Sequence, residues 1–270
     1  MKKRYVVLII AVVVAIALTV CLAFILGNNR KTENPPSDFE YTAYPEDNIV
    51  VITRYIGEAT NVVIPKKIDG YKVVGINSFA FMSTDIESVD IPDTVESIEN
   101  KSFANCQNLH TVNMGNGVVN IEMDAFRKCT KLTTINFSSN LTKLGHDAFA
   151  ECSSLQNVVI PASVKEWGVE VFWGCPLTSL TFEDGIEVIG NYACFSTPDT
   201  LKSVTIPSSV TTIGEHSFNK WLTEVYFTGD APTQIGKSPF DQNTIIYYNK
   251  NSSGWEDTPL RDEYELVARN

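Results

Sequence analysis

The sequence predicts a β-rich solenoid, a parallel stack of about seven coils of roughly 23 residues each, preceded by one N-terminal transmembrane helix. Three observations support this prediction. A motif recurs at a nearly constant interval, with copies that start at positions 86, 109, 132, 155, 177 and 201. Each copy opens with the alternation of apolar and polar residues that is typical of a β-strand. Ahead of the repeats, an apolar stretch runs from position 6 to position 26.

The N-terminal apolar stretch is long enough to cross a bilayer. Residues 6–26 contain no charged side chain, and about 20 residues span the hydrocarbon core as a helix. We expect an uncleaved signal anchor, because a cleaved signal peptide has a shorter apolar region and an A-x-A-like site. Cleavage is the alternative, and lipidation of Cys21 is disfavoured because Val20 precedes it. The basic residues at positions 2–4 predict a cytoplasmic N-terminus and an extracellular repeat domain at the plasma membrane.

The composition favours a folded, acidic domain. Of the 270 residues 44% are hydrophobic, and the formal net charge is −11. A chain this acidic is a poor partner for nucleic acid, whose phosphates bind Lys and Arg. The predicted organisation is a cytoplasmic stub and transmembrane anchor (1–27), a linker (28–38), an N-terminal cap with the first repeat (39–85), the repeats (86–221), and a C-terminal cap and tail (222–270).

Each repeat begins with the pattern L-x-x-V-x-I. In the copy that starts at Leu201, Val204 and Ile206 are separated by a single position and therefore share one face of a strand. A proline or turn residue ends the strand, V-x-x-I follows, and a large aromatic residue comes next. One copy is too small to bury its own apolar face, so we expect neighbouring coils to stack with strands about 4.8 Å apart. The aromatic residues of this position are Phe103, Phe126, Phe149, Phe172 and Phe218.

Four cysteines occupy one position of the repeat. Cys106, Cys129, Cys152 and Cys175 follow one another at equal intervals along the chain. We predict a column of buried free thiols that pack as small hydrophobic groups. Disulfides between neighbours are a weaker alternative, because the side chains would point the same way, and a metal ladder is weaker still, because the column contains no His or acidic residue. Cys194 stands at the aromatic position and is also expected in the core.

These motifs carry a resemblance to a known family. A repeat of about 20 to 29 residues with an L-x-x-L-x-L-like strand is typical of leucine-rich repeats. The segments IPSSVTTIGEHSF (206–218) and LGHDAFAEC (144–152) resemble the BspA-like leucine-rich repeat of bacterial and protozoan surface proteins. The resemblance covers roughly the segment 39–258, and it weakens at Met114, Gly115, Phe137–Ser139 and Cys194. It implies a cell-surface protein that adheres to or binds other macromolecules, and it specifies no ligand.

We predict no catalytic, metal or cofactor site. The three histidines, His110, His146 and His216, fall in different coils, too far apart for one metal ion or one proton relay. The sequence lacks the G-x-S-x-G and H-E-x-x-H motifs and a phosphate-binding glycine loop. The acidic segments YPEDN (44–48) and FEDG (182–185) do not space their ligands as a calcium loop does. We therefore expect a protein that is not an enzyme.

The outward positions of the predicted strands form two rows of short polar side chains. Repeat arrays commonly bind partners across such extended faces, and an ordinary solvated β surface rich in Thr is the alternative. The expected partner is an extracellular protein or glycan. The predicted partner-binding residues are Ser88, Asp90, Thr111, Asn113, Thr134, Asn136, Asn157, Ser179, Thr181, Ser203, Thr205 and Tyr226.

Three functions fit this surface. The first is non-catalytic adhesion or protein binding at the cell surface. The second is a module that binds cell-wall or host carbohydrate, or an accessory to a surface enzyme, and the third is a structural spacer. An exposed strip of Trp173, Trp255, Tyr226 and Tyr247 would favour carbohydrate, because aromatic rings stack on sugars. Trp167 and Trp221 replace core residues of the repeat and are expected to pack inside.

Overall fold

The computed structural model describes residues 31–194, 199–218 and 221–270. Residues 34–270 form one compact unit, a β-solenoid of about nine turns of parallel strands. The predicted membrane segment, residues 6–26, lies outside the described residues, as does Cys21. Within the described ranges, none of the helices combines the length and the hydropathy that a bilayer crossing requires.

In its described residues, the solenoid is built from short strands, with one short helix, α1 (Leu260–Glu263), and two 3-10 turns, Pro36–Asp38 and Pro45–Asp47. The strands in chain order are β1 (Phe39–Tyr44), β2 (Ile49–Tyr55), β3 (Asn61–Val63), β4 (Lys67–Ile68), β5 (Tyr71–Ile76), β6 (Ser88–Ile91), β7 (Ser97–Ile98), β8 (Thr111–Met114), β9 (Asn120–Ile121), β10 (Thr134–Asn136), β11 (Lys143–Leu144), β12 (Asn157–Ile160), β13 (Glu166–Trp167), β14 (Ser179–Phe182), β15 (Val188–Ile189), β16 (Ser203–Ile206), β17 (Thr212–Ile213), β18 (Glu224–Phe227), β19 (Gln234–Ile235), β20 (Ile245–Asn249) and β21 (Glu265–Arg269).

The strands form two walls. The main wall contains the longer strand of each repeat and consists of three parallel sheets, β3-β6-β8-β10, β12-β14 and β16-β18-β20-β21. The second wall contains the V-x-x-I strands, as the sheets β2-β5-β7-β9-β11-β13 and β15-β17-β19. Strands β1 and β4 join the second wall in antiparallel orientation, next to β2 and β5. The predicted repeat solenoid is therefore confirmed.

The solenoid has more turns than the seven that the sequence predicts. The segments on either side of the regular repeats also place strands in the main wall, although their spacing is irregular. The interval from the start of β3 at Asn61 to the start of β6 at Ser88 is longer than the regular one, and the interval from Glu224 of β18 to Ile245 of β20 is shorter. Because both strands pair in parallel register with their neighbours in the stack, the solenoid extends to about nine turns.

The predicted aromatic residues form a stacked column inside the solenoid. Phe103, Phe126, Phe149 and Phe172 have no solvent exposure. Their ring centroids lie 5.0, 5.1 and 5.7 Å apart in that order. The stack continues towards the N-terminus through Phe81, 4.7 Å from Phe103. Each of these coils therefore contributes one large apolar group to a core that only stacking can bury. Cys194 takes this position in the next coil, and the fifth predicted residue, Phe218, pairs with Cys194 and stacks on Phe240 at 5.5 Å.

The turn that carries each Phe is held by hydrogen bonds to the next coil. The Phe126 N–H donates to the Ala148 carbonyl at 2.8 Å, and the Phe149 N–H donates to the Val171 carbonyl at 2.9 Å. Two left-handed residues flank each turn from Phe81 to Phe172, as Asp124 (φ 57°) and Lys128 (φ 61°) flank Phe126. At the C-terminal end the Tyr264 hydroxyl donates to the Phe240 carbonyl at 3.0 Å, and burial raises the Tyr264 pKa to about 12. Tyr264 thus ends the series of hydrogen-bonded turns at the C-terminal end of the solenoid.

The cysteine column is confirmed. Cys106, Cys129, Cys152, Cys175 and Cys194 are free and buried. The thiols are also hydrogen-bond donors, since Cys129 Sγ lies 3.2 Å from the Phe103 carbonyl of the previous coil and Cys152 Sγ lies 3.2 Å from the Phe126 carbonyl. Burial raises the pKa of the Cys106, Cys129, Cys152 and Cys194 thiols, and the thiolate is the reactive form.

We expect these five thiols to be unreactive in the folded protein. In a Cys21→Ser background, a thiol reagent should label no cysteine in buffer and all five in denaturant without a reductant. Val159→Cys is the positive control, because Val159 is 53% exposed, and this variant should react at once. Labelling of the folded Cys21→Ser protein would contradict the buried column, and fewer than five thiols after unfolding would indicate a disulfide.

Candidate binding surface

The predicted partner-binding residues lie together on the outer side of the main wall, which we call the strand face. Register within each sheet aligns them in two rows: Thr134 is opposite Thr111, which is opposite Ser88. The second row follows the same register through Asp90, Asn113 and Asn136. Most of the side chains are exposed, and those of Ser88, Asp90, Thr111, Asn113 and Tyr226 are half-buried.

At the N-terminal end of the strand face, the side chains bond to one another. Asn113 Nδ2 donates to Asp90 Oδ1 at 2.6 Å, and Asn136 Nδ2 donates to Asn113 Oδ1 at 2.6 Å. This amide ladder holds three side chains of the second row in one orientation. A partner that docks there would therefore meet groups that are already ordered, which lowers the entropy cost of binding.

The middle of the strand face carries no formal charge. Charged residues make up 20% of the chain, yet the two rows of β8, β10, β12, β14 and β16 contain no Asp, Glu, Lys or Arg at ten outward positions. These positions are Thr111, Asn113, Thr134, Asn136, Asn157, Val159, Ser179, Thr181, Ser203 and Thr205. Depletion of charged side chains is a feature of the centre of protein interfaces.

The turns that carry the Phe column are charged by comparison. Arg127 Nη2 lies 2.7 Å from Glu151 Oε1, and Arg127 Nη1 lies 3.2 Å from Asp124 Oδ1. Lys101 lies 3.7 Å from Asp124, and Lys128 lies 3.8 Å from Glu151. Charge is thus concentrated on the turn side of these coils, while the strand face has little.

An aromatic cluster ends the strand face towards the C-terminus. The Tyr226 and Tyr247 rings stack with centroids 4.9 Å apart, and the Arg269 guanidinium lies 3.6 Å from the Tyr247 centroid. The Tyr226 hydroxyl donates to Glu224 Oε2 at 2.8 Å, and this hydrogen bond raises the Tyr226 pKa. Sequence reasoning missed Arg269, because it enters the cluster only through the pairing of β21 with β20.

Comparison with known proteins identifies the family. The model of the BspA type leucine rich repeat region matches in six copies, over residues 74–197 and 192–254. The chain belongs to this family. The BspA-type repeats account for the spacing of the Phe and Cys columns, and they confirm the resemblance that the sequence carries.

Solved structures of bacterial leucine-rich repeat proteins are similar to this BspA-type chain. The T. pallidum leucine-rich repeat protein is 30% identical, with 76% of this chain and 86% of that chain covered and a TM-score of 0.58. A leucine-rich repeat protein from Bacteroides ovatus is 20% identical, with 81% and 71% covered and a TM-score of 0.50, and it supports the fold alone. No match was found among curated proteins.

The tryptophans do not form the exposed strip that would favour carbohydrate. Trp255 is buried, with its ring stacked 4.7 Å from Tyr248. Trp173 is half-buried on the turn side, with the Arg127 guanidinium 5.8 Å from its ring. Of the four aromatic residues considered, Tyr226 and Tyr247 lie on the strand face.

Two further tryptophans were expected in the core. Trp221 is 40% exposed, so the prediction for Trp221 was wrong. Trp167 is half-buried and packs against the core, and its indole N–H donates to the Val188 carbonyl at 3.0 Å. This bond lies at the junction between β13 and β15, where the second wall changes from one sheet to the next.

The main wall is interrupted between β14 and β16, and a cleft opens at this junction. We call it the seam cleft. Its volume is about 350 Å³, within the range of about 300 to 1,000 Å³ that is typical of small-ligand pockets. The floor contains buried apolar side chains, and the rim residues are exposed. The residues at the rim are Thr178, Ser179, Thr181, Asp184, Ser203, Thr205 and Thr228.

Proposed function

We propose that this protein is a non-catalytic binding protein of the cell surface that contacts macromolecular partners through the strand face. The observation that carries the proposal is the run of ten uncharged outward positions between β8 and β16. Membership of the BspA-type leucine-rich repeat family supports it, since repeat arrays of this kind bind partners across extended faces. The leucine-rich repeat solenoid is typically a non-catalytic fold.

The chemistry of the strand face explains why a partner would bind there. Hydroxyl and amide side chains both donate and accept hydrogen bonds, and they cost less to dehydrate than charged groups do. Val159 adds an apolar contact near the centre, because it is 53% exposed. A large, flat partner could therefore exclude water from the middle of the face without burying an unpaired charge.

The proposal also includes a position at the plasma membrane. Residues 6–26 would anchor the chain as a single-pass helix, with a cytoplasmic N-terminus and the repeats outside. The support for the anchor is the length of the apolar stretch and the basic residues before it. The predicted linker, residues 28–38, would then connect membrane and solenoid, with residues 34–38 already part of the compact unit.

The decisive experiment places two positive charges in the middle of the strand face. Thr134→Arg combined with Asn157→Arg should leave the fold intact, because both side chains are exposed, and should abolish binding. An uncharged partner would have to bury the guanidinium groups without a counter-charge. Binding of the full-length chain to immobilised extracellular matrix proteins and to wall glycans would be measured before and after the change.

A matched control places the same charges on the second wall. Thr211→Arg combined with Gln234→Arg also changes two exposed residues to arginine, and this variant should bind as the wild type does. Equal binding by the Thr134→Arg, Asn157→Arg protein and the wild type would move the contact surface away from the strand face.

A further inference from the structure

The seam cleft lies where the length of the coils changes. The coil that spans 155–176 is one residue shorter than each of the three coils before it, and the next coil, 177–200, is one residue longer than those three. Strands β12 and β14 pair with each other, and β16 begins a new sheet. Residues of both rows line the cleft on either side of this junction, but no ladder joins β14 to β16 in the described part of the main wall.

From the lining of this cleft, we infer that the seam cleft binds a neutral saccharide. The inference rests on the proposed function, because it gives the strand face a specific ligand class. Six of its rim side chains carry hydroxyl groups: Thr178, Ser179, Thr181, Ser203, Thr205 and Thr228. Thr178 and Thr228 already donate to the Gln156 and Ile206 carbonyls, so their oxygens are acceptors for a ligand. The hydroxyl groups of Ser179, Thr181, Ser203 and Thr205 can both donate and accept, as can each hydroxyl of a sugar.

The floor of the cleft supplies the apolar part of the recognition. Leu180, Phe182, Val204 and Pro207 line the bottom and are buried. A sugar ring has hydroxyl groups at its edge and C–H groups on its faces, so it needs polar contacts at the rim and apolar contacts beneath. The seam cleft offers this combination within a pocket of about 350 Å³.

The charges around the cleft disfavour anionic ligands. Asp184 is the charged residue among the lining residues, and its carboxylate would repel a phosphate, a sulfate or an acidic sugar. The same carboxylate can accept hydrogen bonds from two neighbouring hydroxyls of a neutral sugar.

The gap between β14 and β16 is too narrow for an extended peptide to insert as a strand. Cα atoms of β14 and β16 lie within 8 Å of each other. A strand inserted between them would need two strand spacings, about 9.6 Å in total. The cleft is therefore a surface pocket over the seam, and it is too narrow to accept a strand into the sheet.

The aromatic cluster continues the second row beyond the cleft. Tyr226 is opposite Thr205 in the register of β16 and β18, and Tyr247 follows on β20. Glu224 and Arg269 hold the two rings in place. A saccharide longer than the cleft would extend along this row and meet preorganised tyrosines, whose amphipathic rings suit a partly wet contact.

Affinity electrophoresis tests the inference with defined probes. Native gels would contain mannan, dextran or xyloglucan as neutral polysaccharides, and hyaluronan or polygalacturonate as acidic ones. The full-length chain would be kept in a polyoxyethylene detergent, because an alkyl glycoside would compete for the site. We expect at least one neutral polysaccharide to retard the protein and the acidic ones to leave its mobility unchanged.

Isosteric variants locate the site. Thr181→Val combined with Thr205→Val removes two rim hydroxyls and keeps the side-chain shape, and should weaken retardation about tenfold, the loss of about two hydrogen bonds. Thr42→Val, which changes an exposed threonine on β1 of the second wall, outside the cleft and the strand face, should retain the wild-type retardation. Equal retardation of the double variant and the wild type would overturn the assignment to the seam cleft.

The test separates this inference from the proposed function. If no neutral polysaccharide retards the wild-type chain, or if only an acidic one does, the neutral saccharide is excluded. A protein partner that binds the wild type and is lost with Thr134→Arg and Asn157→Arg would then uphold the strand face as a binding surface. Failure of the saccharide inference would therefore leave the proposed function intact. The proposed function itself would fail if the Thr134→Arg, Asn157→Arg protein bound its partner as the wild type does.

Discussion

Phe149→Ala should lower the free energy of unfolding by about 3 to 5 kcal/mol, the range for truncation of a buried Phe. The Phe149 side chain has no solvent exposure. Its ring stacks between Phe126 at 5.1 Å and Phe172 at 5.7 Å, and Phe137 meets it edge-on at 5.6 Å. The substitution therefore removes a ring from the middle of a column and leaves a cavity that three neighbouring rings line.

The solenoid architecture adds a second expected effect. Each coil is stable only against its neighbours, so a cavity between two coils weakens the coupling along the whole stack. Urea unfolding followed by circular dichroism would show a lower midpoint, and a smaller m-value or a second transition would show that the two halves have uncoupled.

Phe79→Ala is the matched control for this prediction. Phe79 lies in the corresponding turn of an earlier coil but is 53% exposed, so its removal should change the unfolding free energy by no more than about 0.5 kcal/mol. A loss below about 1 kcal/mol for Phe149→Ala would show that Phe149 is not an essential part of the core.

The sequence was sufficient to predict the columns of the core. Residues that recur with the period of the repeat occupy the same place in successive coils, so Cys106 and Cys129, or Phe126 and Phe149, had to be neighbours once the coils stacked. The same argument placed Thr111 and Thr134 in one outward row, in the register that β8 and β10 adopt. Such predictions need only the period of the repeat.

Features that depend on volume or on long-range pairing could not be predicted in this way. Alignment placed Trp221 at the cysteine position, but an indole is much larger than a thiol, and Trp221 is 40% exposed. Arg269 follows the last recognisable repeat, and its position over Tyr247 depends on β21 joining the sheet. The seam cleft depends on whether β14 and β16 form a ladder in the folded chain, which the repeat pattern alone does not show.

Gly168→Ala should destabilise the protein by about 1 to 3 kcal/mol, the usual cost of forcing an extra group into a packed site. A Cβ atom at Gly168 would lie 2.2 Å from the His146 backbone nitrogen and 2.3 Å from the Gly145 carbonyl carbon. Because both atoms belong to the backbone of the preceding coil, no change of side-chain rotamer can relieve the contact.

The glycine thus sets the distance between two coils. The Gly168 N–H donates to the Leu144 carbonyl at 2.6 Å, and the Val169 N–H donates to His146 Nδ1 at 3.0 Å. Moving the coils apart to admit a methyl group would lengthen both hydrogen bonds. Gly145 and Gly214 hold the same position in other coils. A Cβ atom added there would lie 2.5 and 2.4 Å from the backbone of the preceding coil, so their alanine variants should behave alike.

Glu99→Ala provides the control at the same repeat position. Glu99 already carries a Cβ atom, and its side chain accepts one hydrogen bond from the Ser97 hydroxyl at 3.0 Å, so the substitution should cost no more than about 1 kcal/mol. Thermal and urea unfolding of the two variants would be compared under one condition. If Gly168→Ala unfolds at the same urea concentration as the wild type, the coils can separate freely enough to admit a methyl group, and close backbone approach is not what requires glycine there.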